Sequence, residues 1–402
     1  MKNFKEFLKV GNFKTLLSAF LYFDMSFMVW VVLGALGAVI AEQFKLSPAE
    51  KGLMVSIPLL GGTLLRIPMG VLSDRYGSRR VAIVGQAITL VPLLWGWLSA
   101  QTMTEIYGLG ILLGVAGASF VVALPLASRW YPPKYQGLVM GIAGAGNSGT
   151  VIATFFAPRL AKMYGWHAVF GIALIPMVLM SIAFYFMAKD APMHAQPKKL
   201  VDYLKPIKSR DALLFSLFYS ITFGGFVGLA SFLPIFFTDQ YKLDKITAGN
   251  CTALCVMAGS FVRPIGGYLA DRFNGVTVLT GMYIVIAGLA LGISLMPGLE
   301  IALTLFIVLM LALGAGNGSV FQLVPLRFKN EVGVITGFVG AFGGLGGFML
   351  PNLLGSLKGM TQTYATGFIV FACLALSAAM LVFWVNALAW RRTEWQAAEE
   401  SA

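Results

Sequence analysis

The sequence predicts an all-α membrane protein: twelve transmembrane helices arranged as two six-helix, pseudo-symmetric bundles. Three observations carry that prediction. Of 402 residues, 58% are hydrophobic and only 11% charged, against about 25% charged in an ordinary soluble chain. Apolar runs of about 20 residues, the length that crosses a bilayer, recur from end to end. The second half of the chain repeats the first. The runs are too long and continuous for barrel strands, which would be short and alternating. Lys2, Lys5, Lys9 and Lys14 precede the first run, but that run is too long for a signal peptide and no cleavage site follows it.

In order, the spans are read at 15–40, 52–73, 81–100, 103–128, 137–158, 167–188, 212–238, 248–270, 277–297, 300–325, 333–357 and 363–389, called spans one to twelve below. The longest polar stretch, 189–211, divides them into an amino-terminal bundle (1–188) and a carboxy-terminal bundle (212–390), with a short tail at 391–402. With both ends on one side, that side collects about 20 of the 29 Lys and Arg, and the other about 7. The richer side is expected to be cytoplasmic, which makes this a multi-pass protein of the cell membrane with both termini cytoplasmic. The net charge of +12 therefore reports topology and not a nucleic-acid partner.

The remaining two arginines, Arg66 and Arg263, lie inside apolar spans. An arginine at the centre of a membrane helix costs about 2.5–3.5 kcal/mol on insertion scales and marks a substrate path or a buried pair. Both head the same pattern: R-I-P-M-G-V-L-S-D-R-Y (66–76) in span two and R-P-I-G-G-Y-L-A-D-R-F (263–273) in span eight. Other span pairs repeat too. L-Y-F-D-M-S-F (21–27) matches L-F-Y-S-I-T-F (217–223). Gly114, Ser119 and Pro125 match Gly314, Ser319 and Pro325. Gly137, Gly141, Gly144 and Ala145 match Gly333, Gly337, Gly340 and Ala341. Parallel repeats of this kind occur in secondary transporters, which hold substrate between the halves near the midplane.

The loop after span two, Gly70 to Arg80, resembles the G-x-x-x-D-R-x-G-x-R-R signature of the major facilitator superfamily, and the repeat implies the major facilitator fold. Gly70, Asp74, Arg75, Gly77, Arg79 and Arg80, with the weaker copy at Asp271 and Arg272, are expected to latch the halves at the cytoplasmic face. The alternative is a solvated turn with topogenic charges.

Equivalent spans face each other across the central cavity, so Arg66 and Arg263 are expected to converge. A guanidinium is always charged and offers forked donors, which suits planar oxyanions. Only one carboxylate, Asp24, lies well inside a span. One acid cannot neutralise two arginines, so an exogenous anion is favoured. Tyr22, Phe23, Phe27, Phe120, Tyr219 and Phe223 lie at a depth where rings could sandwich a flat ligand, and Tyr219 with Phe223 is the better pair. Span five carries G-I-A-G-A-G-N-S-G (141–149) and span eleven G-F-V-G-A-F-G-G-L-G-G-F (337–348). Small residues at this spacing let helices touch and slide. The set is Gly141, Gly144, Gly146, Gly149, Gly337, Gly340, Gly343, Gly344, Gly346 and Gly347. Asn147 places an amide in the middle of span five. Asn317, in G-A-G-N-G-S of span ten, is a second polar group, with a packing hydrogen bond as the alternative reading.

These two glycine stretches, together with an arginine in each of spans two and eight, resemble the paired nitrate signatures of the nitrate/nitrite porter family. The resemblance covers all twelve spans and is closest to bacterial assimilatory transporters. It implies that Arg66, Arg263, Asn147, Phe120, Tyr219 and Phe223 bind nitrate or nitrite. Asp24 departs from members that lack an embedded acid. It is either a fixed counter-ion or a proton site that couples uptake to protons. His167 and His194 are read as bystanders, and Cys251, Cys255 and Cys373 as apolar filler.

No metal cluster, cofactor motif or nucleophile–base pair is present, so neither a cofactor nor an enzymatic activity is expected. The expected partners are nitrate, nitrite, protons and the lipid bilayer, and a monomer is expected. The function these observations favour is proton-coupled nitrate uptake for assimilation by alternating access. Alternatives are a nitrate/nitrite exchanger, a small organic-anion porter of the same fold, and a non-transporting nitrate sensor.

Overall fold

The computed structural model describes residue 7 and residues 10–132, 135–191, 208–328 and 332–387. Among them, eleven helices are long and apolar enough to cross a membrane. The remaining crossing is span one, which is broken into Phe13–Trp30, Val32–Ala35 and Gly37–Gln43. The breaks coincide with a close approach to span seven (Arg210–Tyr241): a methyl at Gly34 would fall 2.6 Å from the Ser231 Cα, and one at Gly37 would fall 3.0 Å from Ile235.

Several helices outrun the apolar runs that announce them, because the polar residues that cap a helix lie outside the bilayer segment. Span two covers Pro48–Tyr76, starting at a reciprocal cap in which Ser47 Oγ accepts from the Glu50 N–H and the Glu50 carboxylate accepts from the Ser47 N–H. Span seven begins at Ser209, whose hydroxyl accepts from the Ala212 N–H, and ends at the left-handed Lys242. Spans three, six, nine and twelve (Ser78–Leu98, Trp166–Met187, Gly275–Ser294, Ala365–Val385) turn large apolar side chains such as Phe186 and Phe383 outward, as a lipid-facing surface requires. Spans four and seven are the most enclosed.

Three further spans change course at membrane depth. Span four is Met103–Gly117 followed by Phe120–Ser128; span five is Gln136–Gly144, a 3-10 turn at Ala145–Ser148, and Gly149–Tyr164; span eight is Lys245–Phe261 and Arg263–Phe273. Pro264 accounts for the last, since it brings no N–H and crowds the preceding turn. Spans ten and eleven run unbroken over Leu299–Arg327 and Val332–Thr361.

The halves touch unequally. On the face away from the arginine-rich loops they interlock: a Cβ at Gly52 would strike the Pro351 carbonyl, one at Gly355 the Pro48 carbonyl, and one at Gly249 would lie 2.7 Å from the Thr154 carbonyl. On the basic face they stand apart. Gly144 shares the face of span five that carries Asn147 and Thr154, yet a methyl there, or at Gly141, would meet nothing within 4 Å. Spans five and eight thus converge at the far face and diverge toward the basic one.

Candidate substrate site

Arg66 is only 1% exposed. Span four explains how its charge is accommodated. At the break after Gly117, the Val121 N–H donates to the Ala118 carbonyl, leaving the Gly117 carbonyl free of a helical donor. Arg66 Nε and Nη2 both donate to that oxygen, at 3.3 and 3.2 Å, and Nη1 donates to the Gly340 carbonyl in the other half. Its guanidinium carbon lies 5.3 Å from the Trp30 ring, 5.1 Å from Phe223 and 6.0 Å from Phe120. Carbonyl dipoles and ring faces stabilise a cation here without removing its charge.

Arg263 heads the second piece of span eight. Its Nη2 donates to the Tyr219 hydroxyl at 3.2 Å, whereas its Nη1 is buried without a partner. Its guanidinium carbon is 5.8 Å from Phe120 and 5.6 Å from Phe321. The two arginines therefore flank one ring, that of Phe120. Tyr219 and Phe223 stack in near-parallel planes, 8° apart at 4.9 Å, and Phe321 meets Tyr219 edge-on at 4.8 Å. Among the described residues no carboxylate lies within ion-pair distance of either guanidinium. The cluster offers positive charge, a guanidinium nitrogen (Arg263 Nη1) without a partner and flat apolar walls, which is the chemistry of a small planar anion site.

Asn147 belongs to the 3-10 turn of span five, a tightening that often marks a functional hinge. It is buried, and both its amide atoms lack partners. Gly146 before it lies against Phe23, whose ring is 5.6 Å from Phe120. The same turn holds Asp24: Ser148 Oγ donates to Asp24 Oδ1 at 2.6 Å, and any side chain at Gly149 would collide with the Asp24 carbonyl. Asp24 is thus buried beside the site and bonded to a hydroxyl, not ion-paired to an arginine. Of the other rings, Phe27 is 6.4 Å from Phe223, while Tyr22 turns toward Phe184 in span six.

The glycines divide by neighbour. A side chain at Gly346 would strike span seven at Ser220 and one at Gly343 would crowd Tyr219; these contacts, like those of Gly146 and Gly149, are within one half, whereas one at Gly347 would meet Val227 in its own half and Leu59 in the other. Gly344 and Gly340 face Thr63, and Phe120 with Arg66, across the halves; Gly337 meets only Val121, at 4.0 Å.

The loop after span two is tied within its own half. Arg129 Nη2 donates to Asp74 at 2.5 Å, and the turn is made at Gly77 with φ +91°. Arg79 donates from its backbone to Asp190 and from its side chain to the Tyr185 carbonyl. A methyl at Gly70 would find only Val121, at 4.0 Å. Arg75 and Arg272 each lie over the aromatic ring that follows in sequence, Tyr76 and Phe273. Arg80 lines a shallow hollow with Arg75, Tyr185 and Asp190. The Asp271 side chain lies outside the described residues. Ion pairs between the halves occur at the opposite face: Lys51 with Asp239 at 2.7 Å, and Lys245 with Glu42. The Tyr364 hydroxyl also donates to Asp239. They border a cavity of about 810 Å³.

Sequence reasoning missed Trp30, Phe321 and the carbonyls of Gly117 and Gly340. Phe321 sits one helical turn after Asn317 in the repeat-bearing part of span ten, a signal that could have found it. The carbonyls carry no sequence signal. His167 Nε2 lies 2.7 Å from the Ala100 carbonyl, away from the site, and His194 falls outside the described residues. Cys251 and Cys255 are buried and Cys373 is exposed on its helix.

Two repeated halves around an inter-half site are the plan of a secondary transporter. Residues 18–351 match the Major Facilitator Superfamily, and the chain belongs to that superfamily of membrane transporters. Over 363 residues it is 36% identical to a protein named "Nitrite extrusion protein" in Bacillus subtilis (strain 168), covering 89% of this chain and 91% of that one. Over 391 residues it is 31% identical to "Probable nitrate/nitrite antiporter NarK1" of Thermus thermophilus, covering 89% and 88%. Within the superfamily it is a member of the nitrate/nitrite porter family. A bacterial homologue of the human lysosomal transporter Spinster, solved in an inward-facing and occupied conformation, superposes with a TM-score of 0.64 at 18% identity over 92% of this chain and 96% of that one, a likeness of fold.

Proposed function

We propose that this protein carries nitrate, and nitrite, across the cytoplasmic membrane by alternating access, with the anion held between Arg66 and Arg263. The observation that carries this reading is the pair of guanidiniums flanking Phe120 with no carboxylate partner among the described residues. Two positive charges beside one ring repel each other, and an anion between them relieves that repulsion. Binding then favours closure of the halves, whereas the empty site resists it. The names of the relatives support nitrate and nitrite as the anions. If the basic face is cytoplasmic, the arrangement described is inward-open, with the far face sealed by the Lys51–Asp239 and Glu42–Lys245 pairs.

For net uptake, an inside-negative potential opposes the entering anion by about 2.3 kcal/mol per 100 mV. One proton per nitrate cancels that cost and a second makes the step inwardly driven. Asp24, buried at the hinge turn of span five, is the group proposed to carry the proton: its bond to Ser148 links protonation to the turn that bears Asn147. Nitrate/nitrite exchange is the second reading, favoured by relatives named for extrusion and antiport. Uptake of labelled nitrate into proteoliposomes, with pH gradient and counter-nitrite varied separately, divides the two. Symport predicts accumulation driven by a pH gradient and lost in Asp24→Asn; exchange predicts dependence on internal nitrite and indifference to the gradient.

A further inference from the structure

We propose that Asn317 is a substrate-binding residue, an amide donor that completes the carboxy-terminal side of the anion site beside Arg263. The inference rests on the reading of this site as an oxyanion site and deepens it.

Asn317 is 1% exposed, and neither its Nδ2 nor its Oδ1 has a hydrogen-bond partner. A buried amide left unpaired is costly, so the position calls for a ligand. Its surroundings place it at the site. A methyl at Gly316 would lie 2.8 Å from Thr222 Cγ2, one residue from Phe223. A methyl at Gly318 would strike the Arg263 backbone. Phe321, one turn on along the same helix face, touches both Arg263 and Tyr219. Asn317 thus lies between one neighbour packed on span seven at Thr222 and another packed on the Arg263 backbone.

The repeat gives the arrangement its meaning. By the offset that pairs Gly114 with Gly314 and Ser119 with Ser319, the counterpart of Asn317 is Gly117. In the first half, Gly117 gives its carbonyl to Arg66, whose Nε, Nη1 and Nη2 all donate to backbone oxygens. In the second half, span ten is unbroken, its carbonyls stay in the helix, and the equivalent position supplies a side-chain amide instead. Arg263 correspondingly keeps Nη1 unpartnered. Each of the three Arg66 nitrogens already donates to the protein, while Arg263 Nη1 and Asn317 Nδ2 have no protein partner. A trigonal oxyanion accepting from Arg263 Nη1 through one oxygen can accept from Asn317 Nδ2 through another.

The test uses the full-length protein, purified in detergent for nitrate titration and reconstituted for labelled-nitrate uptake. Asn317→Ala is expected to raise the nitrate Kd and KM about tenfold, the loss of one hydrogen bond to a charged ligand, with the maximal rate within about twofold and the nitrate-free melting temperature unchanged. Asn317→Ser, which retains a donor, should lose less. Asn317→Asp, isosteric but anionic beside Arg263, should abolish saturable binding; it decides the matter if the alanine variant does not fold. A wild-type Kd in Asn317→Ala or Asn317→Asp overturns the proposal, as does a fall in rate and stability with Kd unchanged. Absence of nitrate binding in the wild-type protein would instead reject the oxyanion reading itself.

Discussion

Arg263 donates to the Tyr219 hydroxyl at 3.2 Å, and this bond fixes one edge of a guanidinium whose other edge is free. Tyr219→Phe keeps the ring stack with Phe223 but removes the acceptor. The expected result is a KM for nitrate raised about tenfold, from loss of one charge-assisted bond, with little change in protein level. Uptake kinetics over a nitrate concentration series check it.

Arg66→Lys and Arg263→Lys retain charge and discard the fork. Lysine cannot bridge Gly117 and Gly340 as Arg66 does, nor offer Arg263's two directed edges. Both variants are expected to lose nitrate transport. They should differ in stability: Arg66→Lys leaves a buried carbonyl without a donor, costing about 1–3 kcal/mol, whereas Arg263→Lys leaves the backbone untouched. Melting curves in detergent read the difference.

Gly149 and Gly144 lie in one signature but predict opposite failures. Gly149→Ala drives a methyl into the Asp24 carbonyl and is expected to reduce folded protein severely. Gly144→Ala meets open space here, so it should fold normally. If the basic side closes during the cycle, that methyl meets the opposing span, and turnover falls while nitrate binding persists. Size-exclusion profiles and transport rates separate the two.

Lys51 and Asp239 pair across the halves with side chains 19% and 26% exposed. Such a pair contributes on the order of 1 kcal/mol, about a fivefold change in a two-state ratio. Asp239→Asn also weakens the Tyr364 bond and is expected to populate a state open at the far face. The double exchange Lys51→Asp with Asp239→Lys restores the ion pair but not the Tyr364 bond, and should return the distribution part of the way. Spin-label distances across that face report the shift.

The repeat made the principal residues of the candidate site legible. Arginine at the same place in two apolar spans has few physical readings, and Tyr219, Phe223 and Phe120 stood beside it in matching segments. Arg66's actual partners were not legible, because backbone carbonyls have no signature and the one at Gly117 is released only by a break that composition does not announce. The far-face pairs were missed for another reason: Lys51 and Asp239 are 188 residues apart in sequence, and each alone looks like an ordinary loop charge. Asp24 could be placed at depth from sequence, but its bond to Ser148 depends on the 3-10 turn, which a helical wheel does not produce.

The central claim is that paired guanidiniums carry nitrate, and uptake of labelled nitrate into proteoliposomes of known orientation tests it most directly, with wild type, Arg66→Lys and Arg263→Lys compared at equal protein. The account predicts saturable uptake by the wild type and none above empty vesicles by either lysine variant. Wild-type uptake by a lysine variant, or no saturable nitrate flux in the wild-type protein under any gradient, would contradict it.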